Sequence, residues 1–194
     1  MSSVITKNYS SALMVLSMLL VIGIISVNSA WARTNAIEVN YFNITELNNE
    51  LRLDAEIAYE LNSEIRDALV NGIPLIFEVK VQIKSSQSWR LDKVISSTVK
   101  TQKLKYHALS KQYVLDDIET NDSDAFPDLE SALIHQGRVA AMRIAQADSI
   151  DKSGNFIVQL RSRLITSKLP LPLRMKSYFS RKWRLDSGWH EWPL

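Results

Sequence analysis

Residues 71–84 read Asn-Gly-Ile-Pro-Leu-Ile-Phe-Glu-Val-Lys-Val-Gln-Ile-Lys. Leu75, Phe77, Val79, Val81 and Ile83 fall on one side of this run, and Glu78, Lys80, Gln82 and Lys84 on the other. Alternation at period two means an extended strand with one buried and one wet face. A strand of that kind must lay its apolar face on a second layer, so the stretch already requires a packed, sheet-based domain.

The N-terminus sets the compartment. Lys7 is the only charged residue before Arg33, and an apolar run of 15 residues, Leu13–Val27, follows it. Asn28-Ser29-Ala30-Trp31-Ala32 then places alanines at the two positions a signal peptidase reads. This pattern predicts a secretory signal peptide over residues 1–32, cut after Ala32, with a single β-rich envelope domain over residues 33–194 and release to the periplasm. The alternative is an uncleaved helix that tethers the domain to the inner membrane. The run is short for that, since a spanning helix needs about 20 apolar residues.

Other strands follow the same logic. Ile37–Ile44 is extended, Asn48-Asn49 makes a turn, and Leu51, Leu53, Ala55, Ile57 and Tyr59 alternate with polar residues, which predicts a hairpin. Asn43-Ile44-Thr45 matches the N-glycosylation pattern but carries no weight in a bacterial-type export context. Leu61, Ile65, Ala68 and Leu69 have helical spacing, with Asn62 or Ser63 as cap and Gly72 and Pro74 as stop signals. A polar turn over Ser85–Ser88 leads to an extended segment from Trp89 to Tyr106. Its imperfect alternation predicts a bulge or a break within it. Residues 104–115 read as strand, tight turn and strand. A second helix is predicted from Phe126-Pro127-Asp128-Leu129, with proline in its first turn, to Gly137. Residues 138–147 are assigned as a strand, 151–154 as a turn, and Phe156 to Ile165 as a strand. Leu169-Pro170-Leu171-Pro172-Leu173 is predicted to break regular structure. Trp183-Arg184-Leu185-Asp186 repeats the tetrapeptide Trp89-Arg90-Leu91-Asp92, but the flanks differ and no duplication is inferred. Eight extended segments and two short helices predict a mainly β fold, an antiparallel β-sandwich-like domain preceded by the N-terminal signal helix.

Few residues carry chemistry. The chain has no cysteine, which excludes disulfides and thiolate metal sites. A net charge of +2 over 194 residues argues against a nucleic-acid binder. His107, His135 and His190 have no partners at metal spacing. Asp116, Asp117, Glu119, Asp122, Asp124, Asp128 and Glu130 form an acidic stretch. Asp117, Glu119 and Asn121 alternate as calcium ligands do, but Asp122 stands where a loop needs glycine, and Asp128 where it needs glutamate. The stretch is read as a solvated loop, with pairing to the basic tail as a further option. No serine or cysteine nucleophile motif occurs. The expectation is therefore no catalytic residues, no cofactor and no metal.

The tail differs. Arg161, Arg163, Lys168, Arg174, Lys176, Arg181, Lys182 and Arg184 face only Asp186 and Glu191, with Tyr178, Phe179, Trp183, Trp189 and Trp192 interleaved. Cations near anionic lipid contribute about 1 kcal/mol each, and amphipathic rings settle at an interface. Arg174, Lys176, Arg181, Lys182, Trp183, Arg184, Trp189 and Trp192 are thus the candidate partner or membrane surface. The competing reading packs the tryptophans on the sheet beneath arginine stems.

The export signal, Tyr59-Glu60-Leu61, Ala68–Leu75, Trp89–Asp92, Leu104–Tyr113, Phe126–Leu133, Leu169–Arg174 and Trp183–Trp189 together resemble the proteobacterial exported domain-of-unknown-function family forty-three ninety. The likeness covers essentially the whole chain after the leader. It implies no activity or catalytic residue. It implies one partner, because genes of that family often lie beside one for a membrane sensor histidine kinase. The expectation is a non-enzymatic binding or accessory module of the cell envelope, acting on that kinase or another envelope protein by strand addition or through its tail. The alternative is an envelope glycan- or peptide-acting hydrolase built from converging carboxylates.

Overall fold

The computed structural model describes residues 37–85, 93–150 and 154–194. The leader over residues 1–32, Trp89–Asp92, most of the turn at 151–154, and the side chains of Tyr178 and Phe179 lie outside the described residues. The described residues fall within one compact unit, Asn35–Leu194. They form nine strands: β1 (Ile37–Leu47), β2 (Glu50–Tyr59), β3 (Leu75–Ser85), β4 (Lys93–His107), β5 (Gln112–Asp117), β6 (Ser123–Phe126), β7 (Arg138–Gln146), β8 (Phe156–Leu164) and β9 (His190–Pro193). Three helices accompany them: α1 (Ser63–Val70), α2 (Leu129–Gly137) and α3 (Leu171–Phe179).

All pairings are antiparallel. One sheet has the order β1-β2-β7 and the other β6-β5-β4-β3-β8-β9. The alternation of β3 is realised as expected: Leu75, Phe77, Val79, Val81 and Ile83 are all buried, between the partner strands β4 and β8. In β2 the inward set is Leu51, Leu53, Ala55, Ile57 and Tyr59. Side chains of both sheets meet in one core. The Tyr59 ring meets Phe77 edge-on at 5.2 Å, and its hydroxyl lies 2.8 Å from Ser162 Oγ on β8. Burial pushes the Tyr59 phenol up to about 12, against the hydrogen bond with Ser162 that lowers it. Ser96 Oγ of β4 donates to the Ile144 carbonyl of β7.

Local signals set the turns and caps. Asn48 and Asn49, both at positive φ, close the β1–β2 hairpin, as asparagine tolerates the left-handed region. Asn62 accepts the Ile65 N–H and caps α1. Gly72 (φ 84) ends α1, with the Ile73 N–H bonded to the Ala68 carbonyl and the Gly72 N–H to Leu69. The expected irregularity in β4 is a slip opposite Ile83 and Lys84, which leaves Ile95 unpaired.

Three expectations are corrected. The Pro170–Pro172 stretch does not end regular structure but starts α3: Pro170 is its cap and Pro172 lies in the first turn, where the missing N–H would have had no helical partner. Helix α2 begins one residue after Asp128, which caps it by accepting the Ser131 N–H at 2.7 Å, so Pro127 precedes the helix. The acidic stretch is not all loop, because Ser123–Phe126 pairs with β5. β6 and β9 are two strands more than expected, while the segment read to Tyr106 and the first strand read within 104–115 are the single strand β4, so the described residues form nine strands instead of eight, and three helices instead of two.

One strained residue bears on stability. Ala140 and Ala141 oppose Asp54 in a bulge of β7. Ala141 has φ 49, and its N–H is held by Asp54 Oδ1 at 2.8 Å. A side chain in the left-handed region is strained, whereas glycine is not. Ala141→Gly is expected to raise the unfolding free energy by about 0.5–1 kcal/mol, measured by urea titration. A fall would show that the Ala141 methyl is held by contacts worth more than its strain.

Candidate functional site

The tail is fastened to the domain by three buried apolar residues. After β8 the chain passes a 3-10 turn (Thr166–Lys168), buries Leu169, forms α3, makes a second 3-10 turn (Arg181–Trp183) and buries Trp183 and Leu185. It then bridges Asp186 to Arg163 and adds β9 to the edge of the larger sheet.

This path divides the eight candidate surface residues. Trp183 is fully buried and its indole N–H donates to Glu64 Oε1 on α1 at 3.0 Å. The same carboxylate takes Lys176 Nζ at 2.5 Å and Lys182 Nζ at 4.0 Å. Lys176, then Trp183, hold the Glu64 carboxyl below its ordinary range. Arg174 turns back and donates from Nε and Nη2 to the Leu169 carbonyl. Arg181, Lys182 and Arg184 are exposed. Trp189 is exposed, with the Arg161 guanidinium 5.7 Å from its ring centre. Arg161 in turn grips Asp186 with two hydrogen bonds. Burial pushes the Asp186 carboxyl up, but Arg161 and the Gly188 N–H outweigh it, and the net direction is down. Trp192, on β9, stacks flat on Phe42 of β1 at 3.7 Å. Lys176, Arg181 and Lys182 therefore belong to the α3 region, Trp189 and Trp192 to the sheet edge, and Trp183 to the core.

The acidic stretch pairs with β4, and among the described residues it forms no ion pair with the tail. Asp116 takes Lys103 at 3.1 Å and Lys105 at 2.7 Å, and Asp117 takes Lys100 at 3.4 Å. Asp117 Oδ1 also accepts the N–H groups of Glu119 and Thr120. Among the described residues no group of three or more His, Asp or Glu is gathered to hold a metal, and no helix is long and apolar enough to cross a membrane.

Two hollows escaped sequence reasoning. A groove of about 600 Å³ runs between β1 and β9, an outer strand of each sheet among the described residues. Phe42, Ile44, Leu51, Ile150, Phe156 and Trp192 give it an apolar lining, with Asn43, Glu46 and Leu194 also on its walls. The inward positions of β1, Ile37, Val39, Phe42 and Ile44, did not follow from simple alternation, because a bulge between Val39 and Tyr41 shifts the face by one residue. The partner wall was not legible either, since β9 is four residues long and comes from the far end of the chain. A second cleft of about 550 Å³ lies between β2 and α2. Glu56, Glu60, Glu130, Arg66 and Arg138 line it over apolar Ile57, Leu129 and Leu133. The three glutamates are exposed.

A family model described as Domain of unknown function (DUF4390) matches residues 34–193. No curated protein and no solved structure matches the chain.

Proposed function

For this chain, which belongs to the DUF4390 family, we propose the role of a non-enzymatic binding or accessory module of two-sheet sandwich type in the cell envelope. The observation that carries this is the β1–β9 groove. Two outer strands, each paired with a single described strand, flank an apolar lining and an aromatic stack. An extended segment of a partner protein fits such a site: backbone groups pair with an outer strand and alternate side chains enter the groove. The leader pattern supports export, with cleavage after Ala32 placing the module in the periplasm. An uncleaved leader would tether it to the inner membrane, and mass measurement of the N-terminal residue separates the two. The resemblance makes a membrane sensor histidine kinase the first partner to test, ahead of other envelope proteins.

The test is site-specific photocrosslinking in living cells. A photoreactive residue at Asn43, in the groove, is expected to give one dominant protein adduct, while the same residue at Lys84, on the outer face of β3, gives none. Equal adducts from both positions, or none from Asn43, would overturn the reading.

A second reading, a hydrolase of envelope glycan or peptide, is favoured by the carboxylates of the β2–α2 cleft. Their exposure weighs against it, since acid–base chemistry of this class gains from excluding water. Loss of in vivo function in a chain carrying Glu56→Gln, Glu60→Gln and Glu130→Gln, with the Asn43 adduct retained, would move the assignment to this reading.

A further inference from the structure

Helix α3 presents apolar side chains on both of its sides. Leu173 packs on the core and Ser177 is buried one turn later, which fixes the inward side. Leu171 and Met175, also one turn apart, are 69% and 57% exposed. A surface helix normally keeps its outward positions polar. Here two large aliphatic side chains point to solvent beside exposed Pro172 and Lys176.

Cations lie on both sides of this tip along the chain. Lys168 precedes the helix, Lys176 is within it, and Arg181 and Lys182 follow in the 3-10 turn; all four are exposed. Glu64 partly offsets Lys176 and Lys182. Among the described residues no ion pair takes Lys168 or Arg181. We propose that α3 is an interfacial docking helix for an anionic lipid bilayer, with Leu171 and Met175 entering between head groups and Lys168, Lys176, Arg181 and Lys182 facing lipid phosphates. The charge complementarity selects the lipid. The small size of the apolar tip favours a membrane over a protein, because a stable protein interface buries roughly 800 Å² on each side. A bilayer demands no matching shape and rewards a short apolar tip flanked by cations.

The chain has no cysteine, so one introduced thiol can carry a polarity-sensitive dye. Met175→Cys reports on α3 and Leu109→Cys, in the fully exposed β4–β5 turn, serves as control, both in the full chain. Any anchoring by the leader then acts equally on the two labels. The expected result is a blue shift and brightening at position 175 on vesicles of phosphatidylglycerol and phosphatidylethanolamine, and neither on phosphatidylcholine nor at position 109. High salt should reverse it. Arg181→Ala with Lys182→Ala should raise the lipid concentration for half response roughly 25-fold, about fivefold for each cation. No response at position 175 on anionic vesicles overturns the proposal, as does an equal response on phosphatidylcholine or at position 109. An unchanged half-response concentration in the double variant removes these two cations from it.

Discussion

Gly137→Ala is expected to destabilise the domain by about 3 kcal/mol or more, through a clash that no rotamer relieves. Gly137 closes α2 against β2, and a methyl group there would stand 1.8 Å from the Ile57 carbonyl oxygen and 3.0 Å from its carbon. Both are main-chain atoms of the middle strand of a three-stranded sheet, hydrogen-bonded on each side. The strand cannot move without loosening two ladders, so α2 must. Its departure would uncover Ala132, Leu133 and Gln136, all buried. The polar contacts of α2, the Asp128 cap and the His135–Asp124 pair at 3.3 Å, involve exposed groups and do not replace the close packing of its backbone on β2. Chemical denaturation of Gly137→Ala beside Gly72→Ala checks this. Gly72 has nothing within 4 Å of its missing Cβ, so its substitution costs only the left-handed strain of about 1–2 kcal/mol. Equal losses at the two sites would mean that the α2–β2 contact yields without penalty.

Trp183→Ala should cost about 3–5 kcal/mol, the loss expected for a wholly buried aromatic side chain. Trp183 is the largest fully buried side chain among the described residues, and it ties the tail to α1 through Glu64. Trp183→Phe keeps much of the packing but drops the indole donor. Its expected cost is about 1–2 kcal/mol, and Glu64 retains its lysines. Thermal unfolding followed by near-ultraviolet dichroism would read both, and the Phe42–Trp192 stack gives a local signal for β9. A loss below about 1 kcal/mol for Trp183→Ala would show that Leu169 and Leu185 anchor the tail without it. The consequence for functional work is direct. A Trp183 variant that fails to capture a partner reports a loosened tail, whereas Trp189→Ala with Arg184→Ala changes exposed groups. That pair is the fair test of the outer tail.

Much of the architecture was legible because its signals are local. The faces of β2 and β3 follow from alternation within ten or eleven residues. The ends of α1 follow from a capping asparagine and a glycine at positive φ. Where the sequence misled, the deciding partner lay elsewhere. Ser-Asp-Ala-Phe has little strand propensity, and β6 exists because β5 offers an edge to pair with. Two prolines argued against a helix at 171, yet their positions at its start are ones that cost no hydrogen bond.

The sequence by itself determined the mainly β, antiparallel class and the family. These depend on period, composition and order along the chain. Only the tertiary structure decided which tryptophan is core and which is surface. Trp183 lies between Lys182 and Arg184, flanks that suggest a surface position, yet it reaches Glu64 on α1, whereas Trp189, between Gly188 and His190, lies outside under Arg161. The tertiary structure also decided that Phe42 and Trp192 meet across the two outer strands to wall the groove. A strand's own pattern fixes its inward face, but not which distant strand that face will meet. That choice belongs to the packing of the whole core, where the energies of distant contacts are summed.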